Sequence, residues 1–290
     1  MSPAFVVPLV AALALALVVT TLHRRLPPAV AARVVAVTTL VVAAAALPTL
    51  WILSLGFMAH LPFLGRGLAW CTEVFGVHRQ LPWWVGVPAT AFVAVGTVRA
   101  ARVVRSYRRL RHDQPGSIEI AGHDHPFAVT LPGRGGHIVL SSALLDLLDD
   151  TEQHVVVAHE EAHARHRHDR YLLVAQLCVA AIPMLRPLTS RLQFSIERWA
   201  DEAAVDACGD RQLVALTLGK VALHGFTPAG VLGFAGLGVP ARVAALLGPP
   251  PGPARTPVLA VTWFAIALTG ALAAVQLHHL ASAITALCPG

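Results

Sequence analysis

Charged residues are scarce in this sequence of 290 residues. Asp, Glu, Lys and Arg together make up 13% of the chain, whereas hydrophobic residues make up 56% and the mean hydropathy is +0.63. A soluble domain is typically about 25% charged. This deficit argues against an ordinary soluble protein and favours an integral membrane protein.

Signatures of two other protein classes are also missing. None of the four cysteines forms a CxxC pair, and Cys178 and Cys208 have the sequence context of small core residues. The net charge of +6 and the pI of about 9.9 would suit nucleic-acid binding. However, the arginines cluster beside apolar stretches, and no stacking platform or DNA-reading element is visible. We therefore expect no direct contact with nucleic acid.

Four apolar segments are long enough to cross a bilayer as helices. They cover about residues 4–22, 34–55, 81–98 and 258–277. No basic segment precedes the first of them, and His23, Arg24 and Arg25 follow it instead. This order argues against a cleaved signal peptide. The sequence predicts three transmembrane helices in residues 1–98 and a fourth in residues 258–290.

The arginines predict how these helices are oriented. Arg24, Arg25 and Arg33 lie between the first two spans, and six further arginines occur in residues 99–111. Cytoplasmic loops carry an excess of Lys and Arg. We therefore predict a multi-pass cell-membrane protein with both termini outside, contacting the lipid bilayer along its spans. Residues 99–247 form the cytoplasmic domain, and a Pro/Gly linker follows at 248–257.

The cytoplasmic segment has the pattern of a small α+β domain. Strands are predicted at residues 117–120, 127–131 and 137–141, followed by short helices. The apolar run at 171–185 is short for a membrane span. We interpret it as a buried or membrane-dipping helix, because a fifth span would separate the two halves of the metal site described next. The predicted fold class is mainly α, with about four transmembrane helices and a cytoplasmic domain of a small sheet plus helices.

The strongest chemical motif is His159-Glu160-Glu161-Ala162-His163. His159 and His163 are four residues apart, so they share one face of a helix and can bind a single zinc ion. Glu160 is placed beside them to take a proton from a zinc-bound water molecule during attack on a peptide carbonyl. The alternative interpretation is a solvated polar face in a histidine-rich chain.

A second motif supplies the ligand that the first one lacks, because catalytic zinc needs three protein ligands and an open position. Glu197 and Asp201 are also four residues apart on a predicted helix. Glu197 is the predicted third ligand, and Asp201 is predicted to accept the free N–H of a zinc-bound histidine. A surface salt bridge between Glu197 and Arg191 or Arg198 is the alternative.

Weaker candidates lie outside these motifs. His166 and His168 belong to a basic run, and we expect them to be solvated or to contact lipid headgroups. His224 is either a donor to the oxyanion of the transition state or an ordinary surface histidine. The strand containing His137, Ile138, Val139 and Leu140 either binds substrate as an added strand of the sheet or is an ordinary core strand.

The order of these motifs resembles a known gluzincin layout of membrane zinc metallopeptidases. The resemblance rests on residues 126–128, 137–145, 159–163, 197–201 and 242–247. Two groups share it: the HtpX/CAAX prenyl protease group and the BlaR/MecR antirepressor group. Three helices, a cytoplasmic domain and a further helix resemble BlaR/MecR. Val239-Pro240 stands where the HtpX group often has His-Pro, and only about a dozen residues follow the last span.

The resemblance implies a zinc endopeptidase with one zinc ion per chain. Its expected protein substrate is a cytoplasmic transcriptional repressor, in particular a winged-helix repressor, cleaved in a signal response. Two alternatives are an HtpX-like quality-control protease and a non-enzymatic, zinc-stabilised membrane sensor. The oligomeric state is left open, with a homo-oligomer as one option.

Overall fold

A computed structural model describes residues 3–58, 60–61, 82–111, 116–133, 135–224, 238–252 and 256–285. Within these ranges the chain is mainly helical and contains a small mixed sheet. The helices are α1 (Pro3–Leu22), α2 (Pro28–Met58), α3 (Trp83–Leu110), α4 (Ser142–Leu147), α5 (Asp150–Arg165), α6 (His168–Ala181), α7 (Arg186–Cys208), α8 (Arg211–His224), α9 (Val239–Leu247) and α10 (Thr256–Thr285). The strands are β1 (Ile118–Ala121), β2 (Ala128–Leu131) and β3 (His137–Ser141).

The four segments predicted as spans lie in helices α1, α2, α3 and α10. In the part of the chain that the structure describes, α2 and α3 are long and apolar enough to cross a membrane, and Leu259–Val275 in α10 is a shorter apolar stretch. The buried core helix of a soluble protein passes the same test of length and composition. The number of spans therefore stays a prediction. Helix α3 continues to Leu110, so the arginine-rich segment belongs to the same helix as the predicted third span.

A first hydrophobic core joins the N-terminal helices to α6 and α7. Val34 and Val35 of α2 are buried there against apolar side chains of both helices. The run at 171–185, predicted as a buried or membrane-dipping helix, corresponds largely to α6. Its residues Leu172, Ala175 and Cys178 are buried in this core. Helix α6 ends at Ala181, ahead of a short turn at Pro183–Leu185.

A second hydrophobic core lies between the sheet and α4, α5, α7, α8 and α9. The strand order is β1-β3-β2, with β1 parallel and β2 antiparallel to β3. The central strand is therefore β3, which is hydrogen-bonded on both sides. A substrate cannot add to it as a further strand, so that prediction for His137, Ile138, Val139 and Leu140 is wrong. The alternative, an ordinary core strand, agrees with the burial of Ile138 and Leu140.

Helix α7 takes part in both cores. Leu188, Leu192 and Ile196 are buried in the first core, and Ala204 is buried in the second. The segment between these two sets crosses the junction and carries the predicted carboxylate motif. Packing at both ends of α7 therefore fixes the position of Glu197 and Asp201 along the helix axis and the direction in which they face.

The turn before β3 depends on a glycine that lies against α5. Gly136 has a φ of +72°, and a Cβ there would lie 2.3 Å from the Cβ of Ala164. We expect Gly136→Ala to lower the free energy of unfolding by about 2–4 kcal/mol, because backbone strain and overpacking add. Gly209→Ala is the control, since Gly209 has a φ of +74° but nothing within 4 Å of the added Cβ. It should cost only about 1–2 kcal/mol. Equal losses in denaturant unfolding would contradict this contact.

Candidate metal centre

Helix α5, which carries the HExxH motif, has a capped start. The Asp149 carboxylate accepts hydrogen bonds from the backbone N–H groups of Thr151 and Glu152, at 2.9 Å each. The Glu152 carboxylate accepts in return from the Asp149 N–H at 3.0 Å. This capping box satisfies helix donors that would otherwise lack partners. The cap fixes the residue at which α5 begins. His159 and His163 follow about three and four turns after Asp149 on the same helix.

The structure brings the three predicted ligands together. The Nε2 atoms of His159 and His163 lie 3.1 Å apart. Oε2 of Glu197 lies 3.6 Å from Nε2 of His159, and Oε1 of Glu197 lies 3.7 Å from Nε2 of His163. All three side chains are buried, and their ligand atoms lie within 4.8 Å of one another. These residues could therefore hold one metal ion.

The chemistry of the donors fits a divalent metal ion. Two imidazoles and one carboxylate are a ligand set found in catalytic zinc sites, where a fourth position stays open. Oε1 of Glu197 is buried and makes no hydrogen bond to any described residue. An acceptor left in that condition costs about 1–3 kcal/mol, which a bound cation would recover. A surface salt bridge, the alternative interpretation of Glu197, is excluded by its 1% exposure.

Asp201 lies behind His159. Its Oδ1 is 3.2 Å from Nδ1 of His159, the ring nitrogen that faces away from the cluster. A carboxylate in this position fixes the tautomer of a metal-bound histidine and orients its ring. The distance agrees with the contact predicted from the spacing of Glu197 and Asp201 on the helix.

Arg242 completes this network and had no predicted role. It is fully buried; its Nε donates to Asp201 at 2.8 Å, and its Nη1 lies 2.8 Å from Oε2 of Glu197. One guanidinium therefore neutralises and positions two buried carboxylates. Its helix, α9, was part of the family pattern, but nothing in the sequence pairs residue 242 with residue 201.

Glu160 is held by Thr130, a second residue that the sequence analysis missed. The Thr130 hydroxyl lies within hydrogen-bond distance of the Glu160 backbone carbonyl at 2.9 Å and of its carboxylate Oε2 at 2.6 Å. Oε1 of Glu160 is buried with no hydrogen-bond partner among the described residues. Thr130 of β2 thus fixes Oε2 of Glu160 and leaves Oε1 available to accept a proton.

Burial and neighbouring charges shift the pKa values of these groups. Burial raises the pKa of Glu160 to about 7. For His159, burial lowers the pKa, but the carboxylates of Asp201 and Glu197 outweigh it and raise the pKa to about 9. Burial opposes ionisation of Asp201, yet Arg242 prevails and lowers its pKa to about 2. Without metal, the His159 ring is therefore protonated on both nitrogens at neutral pH. A metal ion that binds must displace the proton on Nε2.

The structure contradicts the prediction for His168 and leaves His166 partly exposed. His168 is fully buried, and its Nδ1 lies 2.9 Å from Nδ1 of His163. Burial lowers the pKa of His168 to about 3, so the ring is neutral. His166 is partly buried and stacks on Trp199 with ring centroids 4.5 Å apart. The basic run predicted an exposed segment, and Arg165 and Arg170 are indeed exposed, but the ring of His168 is buried.

His224 is not brought to the cluster by any contact that the structure describes. It is the last residue of α8, it is exposed, and its Nδ1 lies 2.9 Å from the Lys220 carbonyl oxygen. Its role as an oxyanion donor stays a prediction.

A cavity of about 420 Å³ adjoins the cluster between α3, β2 and α6. His163 and Thr130 line one side, and Tyr107 and Asp169 line the other. The Tyr107 hydroxyl donates to the Asp169 carboxylate at 2.7 Å, which ties α3 to the start of α6. A segment of another molecule in this cavity would contact the cluster directly.

The family model of peptidase family M48 matches residues 101–189. This region contains His159, Glu160 and His163 and ends before Glu197. The match supports an M48-type metallopeptidase, and the third ligand rests on the geometry above. Comparisons with curated proteins and with solved structures find no match.

Removing Arg242 should be strongly destabilising. We expect Arg242→Met to lower the free energy of unfolding by about 3–5 kcal/mol, because two carboxylates lose their buried partner. Arg211→Met is the control: Arg211 pairs with Glu202 at 2.6 Å, but both side chains are about one-fifth exposed, at 22% and 17%. Denaturant unfolding of the purified protein measures both. A loss for Arg242→Met no greater than for Arg211→Met would contradict the network.

Proposed function

We propose that this chain is a membrane-anchored zinc endopeptidase that cleaves a cytoplasmic protein. The observation that carries the proposal is the convergence of His159, His163 and Glu197 on one point, with Glu160 next to them. His159, His163 and Glu197 would hold the zinc ion. The M48 match supports peptidase chemistry at this site.

The residues around the metal have separable roles in peptide hydrolysis. Zinc, when bound, polarises the scissile carbonyl and acidifies the attacking water molecule. Glu160 accepts the proton of that water at Oε1 while Thr130 holds Oε2 in place. The protonated Glu160 can then pass the proton to the leaving amine, as a general base that becomes a general acid.

The cavity beside His163 is the proposed place for the substrate chain. It is bordered by β2, an edge strand of the sheet. Extended peptides commonly bind by adding to such an edge. Helix α3 forms the opposite wall and continues from the predicted third span, so we place the site at the cytoplasmic surface of the membrane. This location suits a substrate in the cytoplasm, and by the BlaR/MecR resemblance we propose a winged-helix repressor.

Glu160 should be essential for cleavage but not for metal binding. We expect Glu160→Gln to retain zinc and to lose at least about 100-fold in kcat/KM for a peptide substrate, because the proton acceptor is gone. Glu161→Gln, the exposed neighbour on the same helix, should keep both properties. Elemental analysis and a fluorogenic peptide assay measure the two quantities. Loss of zinc in Glu160→Gln would show that Glu160 is a ligand and refute this role.

The repressor proposal is tested in cells that carry the chain together with a repressor encoded beside it. After induction we expect the repressor to disappear with the wild-type chain and to persist with Glu160→Gln. A repressor that stays intact with both chains would refute the signalling role. Broad cleavage of unfolded membrane proteins by the purified chain would instead favour the HtpX-like function, and four-coordinate zinc without water would favour a structural sensor.

A further inference from the structure

The two histidines of the metal centre have different partners behind them. Nδ1 of His159 lies beside the carboxylate of Asp201, whereas Nδ1 of His163 lies 2.9 Å from Nδ1 of His168. The His163 and His168 rings meet edge to face, with centroids 4.8 Å apart. Both Nε2 atoms of the ligand pair face the metal position. Hence the second nitrogen of His163 is supported by another histidine and not by an acid.

We propose that His168 is the positioning residue that orients His163 for metal binding; this rests on the proposed zinc site. A metal-bound histidine almost always donates its other N–H to a neighbouring acceptor. To present a lone pair at Nε2, His163 must carry its proton on Nδ1. Nδ1 of His168 must then be the acceptor, and the proton of the neutral His168 ring resides on Nε2.

The surroundings of His168 hold its ring in that position. Arg167 precedes it with a φ of +54°, a conformation rare for residues other than glycine, and the chain turns there into α6. The His168 ring packs on Trp199 of α7 with centroids 4.8 Å apart, and His166 stacks on the same indole. The guanidinium of Arg33 in α2 lies 5.1 Å from the centre of that indole. The turn between α5 and α6 and the indole of Trp199, itself contacted by Arg33 of α2, therefore hold the ring that faces His163.

The packing of His168 on Trp199 explains a buried ring at this position but not a ring that carries nitrogen atoms. Its Nε2 makes no hydrogen bond to any described residue, so the ring meets the cost of a buried polar atom. A leucine or phenylalanine would fill the same space without that cost. What a hydrocarbon side chain cannot supply is an acceptor for the His163 N–H.

The proposal predicts that zinc affinity depends on a hydrogen-bond acceptor at the position of His168 Nδ1 and not on an aromatic ring there. His168→Phe keeps an aromatic ring against Trp199 but has no acceptor. His168→Asn loses the ring but places a side-chain oxygen close to where Nδ1 was. We expect His168→Phe to weaken zinc binding by about 10–100-fold, the usual effect of removing such a partner. We expect His168→Asn to stay close to the wild type.

The experiment measures zinc affinity of the full-length protein in detergent by competition with a chelator. His166→Phe is the matched control, since His166 stacks on Trp199 but has no described contact with His163. It should leave the affinity unchanged. His168→Leu is a second acceptor-free variant if His168→Phe does not fold, and thermal unfolding of the metal-free variants identifies any that fail.

The outcomes separate this inference from the proposed function. Weak zinc binding in His168→Phe with near wild-type binding in His168→Asn supports the positioning role. Equal affinities of His168→Phe and the wild type, or equal weakening in His168→Phe and His168→Asn, would overturn it while leaving the zinc site intact. A wild-type protein that binds no zinc would overturn both.

Discussion

The structure depends on the burial of Arg242 between two carboxylates. Asp201 and Glu197 are both nearly fully buried, and Glu160 beside them is a third buried acid. Three ionised carboxylates against one guanidinium would leave two negative charges in a buried region, and a divalent cation would balance them. Without the cation, burial raises the pKa of Glu160, and the carboxylates of Asp201 and Glu197 raise the pKa of His159, so protons on these two groups reduce the net negative charge. The donor set and the charge balance therefore point to the same kind of occupant.

This electrostatic arrangement needs a rigid frame, which α7 provides. Its apolar side chains are anchored in both hydrophobic cores, so Glu197 and Asp201 cannot rotate away from α5 without disrupting packing at either end. The capping box of Asp149 and Glu152 fixes α5 from the other direction. The candidate ligands thus come from two helices, α5 and α7, each held by its own contacts, and the cluster forms where these helices pack together.

Local patterns in the sequence predicted the parts of the site that lie on one helix. The pairs His159 and His163, and Glu197 and Asp201, follow from the helical repeat. The bounds of β3 also followed from local signals, whereas the helices predicted at 34–55 and 81–98 are longer in the structure, at Pro28–Met58 and Trp83–Leu110. Arg242, Thr130 and His168 could not be predicted in this way, because each acts through a contact with a residue on another element. The central position of β3 was missed for the same reason: its parallel pairing with β1 is a long-range contact that alternation along one strand does not encode.

Helix α3 links the predicted membrane region to the cavity wall without interruption. Its 28 residues run from Trp83 to Leu110. At 1.5 Å per residue such a helix is about 40 Å long, so a tilt of about 5° moves one end by roughly 3–4 Å relative to the other. Tyr107 lies near the C-terminal end of α3, where its hydroxyl donates a hydrogen bond to Asp169, the residue next to His168. Because this bond ties α3 to the start of α6, a change in the inclination of α3 would move the wall of the cavity that adjoins the candidate metal centre.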